Sequence, residues 1–255
     1  MSTLLLVSCL YTRLLIYCIK STDKVCFFSK EYDAIYYNFE VVMMNIDSLL
    51  LDIDGTLWDT SSLSVQAYSL AIHQYSDLRI HITQEMIKRE YGKPLPAIAD
   101  DLFPSLPSSK RIELIQRCDE VNNRFIQNST EDFLYPGVHE TISALSSELP
   151  LFIISNCYED YAVLFIEKNG LSPFIKDYAC INHIARDKAS NIKYIIETYH
   201  LKNPIYIGDI EADRIAAEQG GAGFMHAAYG YGSVTKSVPE LRSFSDILSF
   251  FPYAK

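Results

Sequence analysis

The sequence predicts an α/β fold: a parallel sheet with helices on both faces and a small helical domain inserted after its first strand. Three observations lead there. From about residue 45 onward, short apolar runs alternate with stretches of helical spacing, the pattern of strands joined by crossover helices. Residues 61–133 interrupt that alternation and are helical in character throughout. The apolar runs also end in polar residues, at the edge where strands of a parallel sheet meet their ligands. With 255 residues, 49% of them hydrophobic, the chain is long enough for one large domain, or for a main domain carrying a smaller one.

The first 44 residues differ from the rest. "MSTLLLVSCLYTRLLIYCIK" is apolar but broken by Arg13, with no basic residue ahead of the run and no small-residue cleavage site after it, so it makes a poor signal peptide. A membrane span needs about 20 mostly apolar residues, and Arg13 sits inside the one candidate. "STDKVCFFSKEYDAIYYNFEVV" follows with no clean period, and then Met43 and Met44 directly precede "NIDSLLLDIDGT". The expectation is a natural start at Met43 or Met44, with residues 1–44 an extension that takes no part in catalysis. A weak membrane anchor is the lesser alternative.

Beyond that point the elements follow in order. The first strand covers residues 48–54. The helical interval holds "SVQAYSLAIHQY", "TQEMIKREYG" and "SSKRIELIQRCDEVNNRFIQ", the last two separated by prolines at 94, 96, 104 and 107. It is too long for a single crossover, which makes residues 61–133 a separate helical cap. The chain rejoins the sheet at "FLYPGV", where Pro136 and Gly137 turn it into the next helix. Strands at 151–156, 178–182, 205–209 and 223–228 then alternate with helices at 138–147, 161–169, 189–200 and 212–219. The α/β core is thus residues 45–60 and 134–255.

A formal net charge of -10, with no run of lysine or arginine, speaks against nucleic acid and against a polybasic membrane tether. It leaves room for a small anionic substrate, because one metal ion and one lysine can invert a local field. The six cysteines form no C-x-x-C pair, which suits reduced thiols in a cytoplasmic protein. The six histidines fall into no metal or triad pattern.

The candidate chemistry collects at the strand ends. Asp52 and Asp54 close the first strand, Ser155 and Asn156 the second, and Asp209 the fourth, with Asp213 close behind. Lys188 falls in the loop between the third strand and its helix. Phosphoryl transfer needs these residue types. A carboxylate such as Asp52 can attack phosphorus and carry an aspartyl-phosphate. Asp54, two residues on along a strand and so facing the same way, can protonate the leaving alkoxide and later activate water. Asp209 with Asp52 offers hard oxygen ligands for Mg²⁺. Ser155, Asn156, Lys188 and Thr56 supply donors and charge for the phosphate oxygens, and Gly55 permits a tight turn beside the nucleophile.

These four stations, "DIDGTLWD", "ISN", the lysine of "RDKASN" and "GDIEAD", come in an order that resembles the haloacid dehalogenase superfamily of phosphohydrolases, from about residue 47 to 232. The inserted helices resemble its phosphoglycolate-phosphatase-like branch. The resemblance implies a Rossmann-like core and a Mg²⁺-dependent phosphatase acting on a small phosphorylated metabolite, phosphoglycolate-like or a sugar phosphate. It implies Asp52 as nucleophile and Asp54 as acid/base. The metal would sit on Asp52, the Asp54 carbonyl and Asp209, with phosphate contacts from Ser155 and Lys188. Asp213 would be an outer ligand or a partner of Lys188. One departure is Ile210, where many relatives carry Thr or Ser after "GD".

Singly, each residue has a plainer role. Asp54 suits a turn before Gly55, Asp209 an N-cap for "IEADRIAAEQ", and Ser155 or Lys188 a solvated surface. Only their joint order favours catalysis. In the cap, "YGKPLPAI" puts Gly92 and Lys93 in a turn that could close over the non-phosphate end of a substrate, with Lys93 a possible specificity residue. Trp58 is expected to be hinge or wall packing, the tail "MHAAYGYG" wall and turn, and Asp59 structural. The alternatives are a phosphomutase sharing the aspartyl-phosphate step, a dehalogenase, for which Asp54 would have little purpose, and a non-enzymatic phosphoacceptor or binding relative.

Overall fold

A computed structural model describes residues 4–7, 16–21, 24–28, 46–181 and 187–251. The chain divides into two compact units, Met1–Asn45 and Ile46–Lys255. In the first, β1 (Leu4–Val7), β2 (Ile16–Ser21) and β3 (Lys24–Phe28) form an antiparallel sheet in that order. No periodicity in this segment had announced strands. Met43 and Met44, where the natural start was expected, lie outside the described residues. Among those residues, no helix is long and apolar enough to cross a membrane.

The second unit is built on a six-stranded sheet, parallel throughout. Its central strand is β4 (Ser48–Leu51), flanked by β5 (Leu151–Ile154) and β7 (Pro204–Gly208). Outside these lie β6 (Ile175–Ala179) on one side, then β8 (Gly223–Ala227) and the two-residue β9 (Glu240–Leu241) on the other. The order β6-β5-β4-β7-β8-β9 reverses direction at β4, and in such sheets the crevice at the reversal binds ligands. "SLLL", "LFII" and "PIYIG" are buried at every residue, as continuous apolar strands must be when helices cover both faces.

Four helices lie between β4 and the rest of the sheet. They are α1 (Ser61–Tyr75), α2 (Gln84–Glu90), α3 (Leu95–Leu102) and α4 (Ser108–Asn128). Prolines 94 and 107 stand just ahead of α3 and α4, where a fixed φ and a missing N–H do no harm. The four share an apolar cluster of their own, with Ala67 and Ile72 from α1, Leu102 from α3, and Leu114, Ile115 and Val121 from α4. A different cluster, around Leu50, Phe152, Ile192 and Tyr206, lies under the sheet. At about 1.5–3 kcal/mol per fully buried aliphatic or aromatic side chain, each cluster is a sizeable source of stability for its own layer.

The remaining elements are α5 (Val138–Leu145), α6 (Glu159–Lys168), α7 (Lys188–Tyr199), α8 (Glu211–Gly220) and a terminal 3-10 helix, Phe244–Phe250. Several expected boundaries move. β4 stops at Leu51 rather than residue 54, because the Ile53 carbonyl accepts from the N–H groups of Thr56, Leu57 and Trp58 at 3.2, 2.8 and 3.2 Å and turns the chain. β6 begins at Ile175, ahead of the expected 178, and Asn182 lies outside the described residues. Lys188 is not in a loop: it is the first residue of α7, whose N-cap Asp187 accepts from the Ser190 N–H at 2.8 Å. β9 and the 3-10 helix had no sequence expectation.

Candidate active site

The turn after β4 sets the geometry. The Asp52 N–H still bonds to Ile207 O of β7 at 3.0 Å, so its carboxylate stands at the sheet edge. Gly55 then takes φ +78° and donates to Trp58 O at 3.0 Å. A Cβ at Gly55 would lie 2.2 Å from Asp209 Oδ2, so both backbone conformation and space demand glycine here. Because the strand ends before Asp52, the two-residue period does not govern Asp52 and Asp54, and their side chains take different partners.

Asp52 meets Lys188, whose Nζ donates to Asp52 Oδ1 at 3.0 Å and to Asp213 Oδ1 at 2.6 Å. The other Asp213 oxygen accepts from the backbone N–H groups of Asp209 and Ile210 at 3.1 and 3.2 Å. Asp213 therefore fixes Lys188 and the start of α8 together. Asp209 is held by the Tyr231 N–H at 2.7 Å on Oδ2, and its carbonyl accepts from His226 Nε2 at 3.1 Å.

Asp54 faces another way. Its Oδ1 accepts from the Tyr161 hydroxyl at 2.6 Å and from Trp58 Nε1 at 3.1 Å. Trp58 is fully buried and packs edge-on against Phe165 of α6, with ring centroids 4.9 Å apart. Trp58 is thus wall, as expected, and also a donor to Asp54. Its indole N–H carried that possibility; the approach of Tyr161 from another element did not show in the sequence.

Burial dominates the electrostatics of all three acids. Burial pushes the Asp52 carboxyl up to about 6, with Lys188 opposing and Asp213 adding to the shift. Burial pushes Asp54 up to about 7 against the Tyr161 hydrogen bond, with Asp52 adding to it. Asp209 rises to about 8 through burial and the charges of Asp213 and Asp52. Burial pulls the Lys188 ammonium toward neutrality, but Asp213 and Asp52 outweigh it and hold the group protonated, well above the usual lysine range.

Asp52, Asp209 and Asp213 each bring an oxygen within 4.8 Å of the others, all buried, and Lys188 is the ammonium they share or adjoin. Three carboxylates against one ammonium leave two negative charges uncompensated if all ionise, which is costly away from water. That deficit and the hard oxygen donors fit a divalent cation. Thr56 Oγ1 is buried with no hydrogen-bond partner, a further group that an occupant of the site would satisfy.

Between the sheet edge and the inserted helices lies a pocket, part of it open to solvent, that reaches from Asp54 and Ser155 to Tyr68, Asp119 and Asn122. Contacts tie its two walls. Asn156 Nδ2 donates to Gly92 O at 2.6 Å, so that amide faces the turn between α2 and α3, where a phosphate contact had been expected. Ser155 Oγ accepts from the Cys157 N–H at 3.4 Å. Lys93 lines the cavity, but its ammonium is bonded to Glu90 and Asp101 at 2.7 Å each. Ile210 reaches the same turn: a Cβ on Gly92 would meet Ile210 Cδ1 at 2.6 Å. Asp59 accepts from Tyr231 OH at 2.9 Å and pairs with Lys88 of α2 at 3.1 Å. The tail loop is wall as expected, with Tyr229 OH donating to Thr56 O at 2.7 Å and Tyr231 stacked on Tyr91.

Residues 49–227 match the sequence profile of the family described as haloacid dehalogenase-like hydrolase. No curated protein matches the chain. Among solved structures, the chain is similar to a haloacid dehalogenase-like family protein of Streptococcus pneumoniae, at 21% identity and TM-score 0.68, over 81% of this chain and 98% of that one. It is similar to a protein of Haemophilus somnus 129PT described as a predicted phosphoglycolate phosphatase, at 18% identity and TM-score 0.71, over 81% and 98%. A third, from Clostridium acetobutylicum and described as a predicted phosphatase, gives 17% identity and TM-score 0.67 over 81% and 98%. At these identities the likeness is one of fold.

Proposed function

This chain belongs to the haloacid dehalogenase-like hydrolase family, and we propose that it is a Mg²⁺-dependent phosphatase that hydrolyses a small phosphorylated metabolite through an aspartyl-phosphate on Asp52. The observation that carries this is the different surroundings of two neighbouring carboxyls: Asp52 is ion-paired to Lys188, while Asp54 is held by the Tyr161 hydroxyl and the Trp58 indole. Two carboxyls with different environments are suited to different roles.

In the first step the Asp52 carboxylate attacks phosphorus and the bond from phosphorus to the alcohol oxygen breaks. Asp54 gives its proton to the departing alkoxide. In the second, Asp54 as carboxylate takes a proton from a water that attacks the aspartyl-phosphate, which frees inorganic phosphate and restores Asp52. Lys188, Ser155 and Thr56 hold the transferring oxygens. Bound by Asp52 and Asp209, with the Asp54 carbonyl as the ligand the resemblance implies, Mg²⁺ supplies the positive charge that lets an anionic nucleophile meet an anionic substrate. Helices α1–α4, within residues 61–133, serve as the cap that shields the site from bulk water. A cytoplasmic setting agrees with Cys118, Cys157 and Cys180 being free thiols.

Asp52→Asn is expected to abolish turnover of a generic aryl phosphate, and chelation of divalent cations to abolish it reversibly, with activity restored by Mg²⁺. Turnover by Asp52→Asn at the wild-type rate would overturn the mechanism.

A further inference from the structure

The pocket between α1–α4 and the sheet edge runs past Asp54, so it lies where a substrate extends beyond its phosphate. Three of its lining side chains, Asp119, Asn122 and Asn156, carry acceptors with no described hydrogen-bond partner. Asp119 and Asn122 stand three residues apart on α4, and so on one helix face. Asn122 is 3% exposed, and its Oδ1 is buried without a hydrogen-bond partner. On the opposite wall, Asn156 commits its Nδ2 to Gly92 O, which fixes the orientation of the amide and leaves its Oδ1 buried and unpartnered. Native proteins rarely leave buried polar atoms unpaired without a reason.

Asp119 has no hydrogen bond or ion pair with any described residue, and burial, with Asp160 and Glu120 adding, pushes its carboxyl up to about 7. Lys93 is the one cation among the described residues that line the cavity. Glu90 and Asp101 already occupy it.

We propose that this cavity is the subsite for the alcohol portion of the substrate. Asp119, Asn122 and Asn156 make it select an alcohol bearing hydrogen-bond donors, hydroxyl or ammonium, over one bearing a carboxylate. The selection rests on the phosphatase function proposed above and narrows its substrate class. Donor groups would satisfy the two orphan amide oxygens and the lone carboxylate at once. A carboxylate would instead set acceptor against acceptor at Asn122 and Asn156, with no free cation among the described lining residues to receive it, and a site built for one polarity rejects the other strongly.

The test compares kcat/KM of the full chain with Mg²⁺ on glycerol 1-phosphate, O-phosphoethanolamine and 2-phosphoglycolate, with p-nitrophenyl phosphate as the reference. One of the two donor-bearing esters should exceed 2-phosphoglycolate by about tenfold or more, and whichever leads identifies the donor as hydroxyl or ammonium. Asp119→Leu and Asn122→Leu should each bring that ratio to within about threefold of unity, chiefly through KM. Because both esters are read on one preparation, the folded fraction cancels from the ratio. Hydrolysis of the aryl phosphate with no preference among the three esters, or with 2-phosphoglycolate preferred, overturns the subsite alone. A ratio unmoved by either variant overturns it as well. If the aryl phosphate itself is not hydrolysed, the phosphatase function fails, and the subsite with it.

Discussion

Asp54 is caught between burial, which raises its pKa, and two donors that stabilise its charged form. A hydrogen bond to a charged group contributes about 1.5–3 kcal/mol, so the Tyr161 hydroxyl at 2.6 Å does much to fix the position and charge of this carboxylate. Tyr161→Phe keeps the ring against Trp58, 5.7 Å between centroids, and removes that bond together with the longer one between the same hydroxyl and Thr60 Oγ1 at 3.4 Å. For a positioning residue, kcat on an aryl phosphate should fall about 10- to 100-fold, the rate equivalent of that energy, with KM changed less than about twofold. Equal kcat values for the two proteins would reduce Tyr161 to wall packing. The acids themselves were legible because their chemistry follows from residue type and strand-end placement. Tyr161 was not, since its partner lies 107 positions away and nothing local marks a tyrosine that points into a site. Asn156 shows the opposite case: its neighbour Ser155 drew it into the phosphate set, whereas its amide is turned to Gly92.

The turn that follows β4 makes a sharper demand than any strand or helix. It needs a left-handed residue at Gly55 and room for Asp209 beside it, since a Cβ would fall 2.2 Å from the Asp209 carboxylate and 2.7 Å from the Tyr231 ring. Gly55→Ala should lower stability by about 1–2 kcal/mol for the backbone alone, measured by urea unfolding. Aryl phosphatase activity should fall far more than that loss of folded protein explains, because Asp209 must move. Activity within about threefold of wild type would mean that the position of Asp209 is not critical. Elements of this kind were partly readable. The central strands announced themselves because burial on both faces forces continuous apolar runs. β6, "IKDYA", is only partly buried and so carried a weaker signal, and the expected strand slid toward the more apolar residues after it. β9, two residues long, has no periodicity to detect. The N-terminal strands pair antiparallel across segments with no clean alternation, so the order of pairing, not the local pattern, defines them.

At the scale of the whole molecule, a chain with net charge -10 encloses acidic groups between two separately packed apolar layers, and this leaves a trace in its stability against pH. Asp119 is the cleanest reporter, because it lies away from the proposed metal ligands and is pushed from 3.8 up to about 7 by burial, Asp160 and Glu120. In the folded protein it holds a proton through a range in which the unfolded chain has lost it. The folded state therefore binds more protons between about pH 4 and 7, and stability falls as pH rises through that window, then levels off above it. Asp119→Asn removes this term while leaving Asp52 and Asp209 to titrate alike in both proteins. The Tm of the variant should exceed that of wild type at pH 7.5, and the gap should shrink toward pH 4.5. A gap independent of pH, or a less stable variant at pH 7.5, would mean that Asp119 is not an uncompensated charge. The same residue then links stability to function. A carboxyl that weakens the free protein at neutral pH is the kind of local sacrifice expected at a binding site. A donor-bearing ester that pairs with it should raise the wild-type Tm more than that of Asp119→Asn, since a ligand stabilises only through what it binds in the folded state. No local pattern in the sequence could reveal this, because Asp119 on its own helix is an ordinary polar residue. Its meaning comes from the packing of α4 over the sheet edge, which half-buries it near Asp160 with no cation of its own.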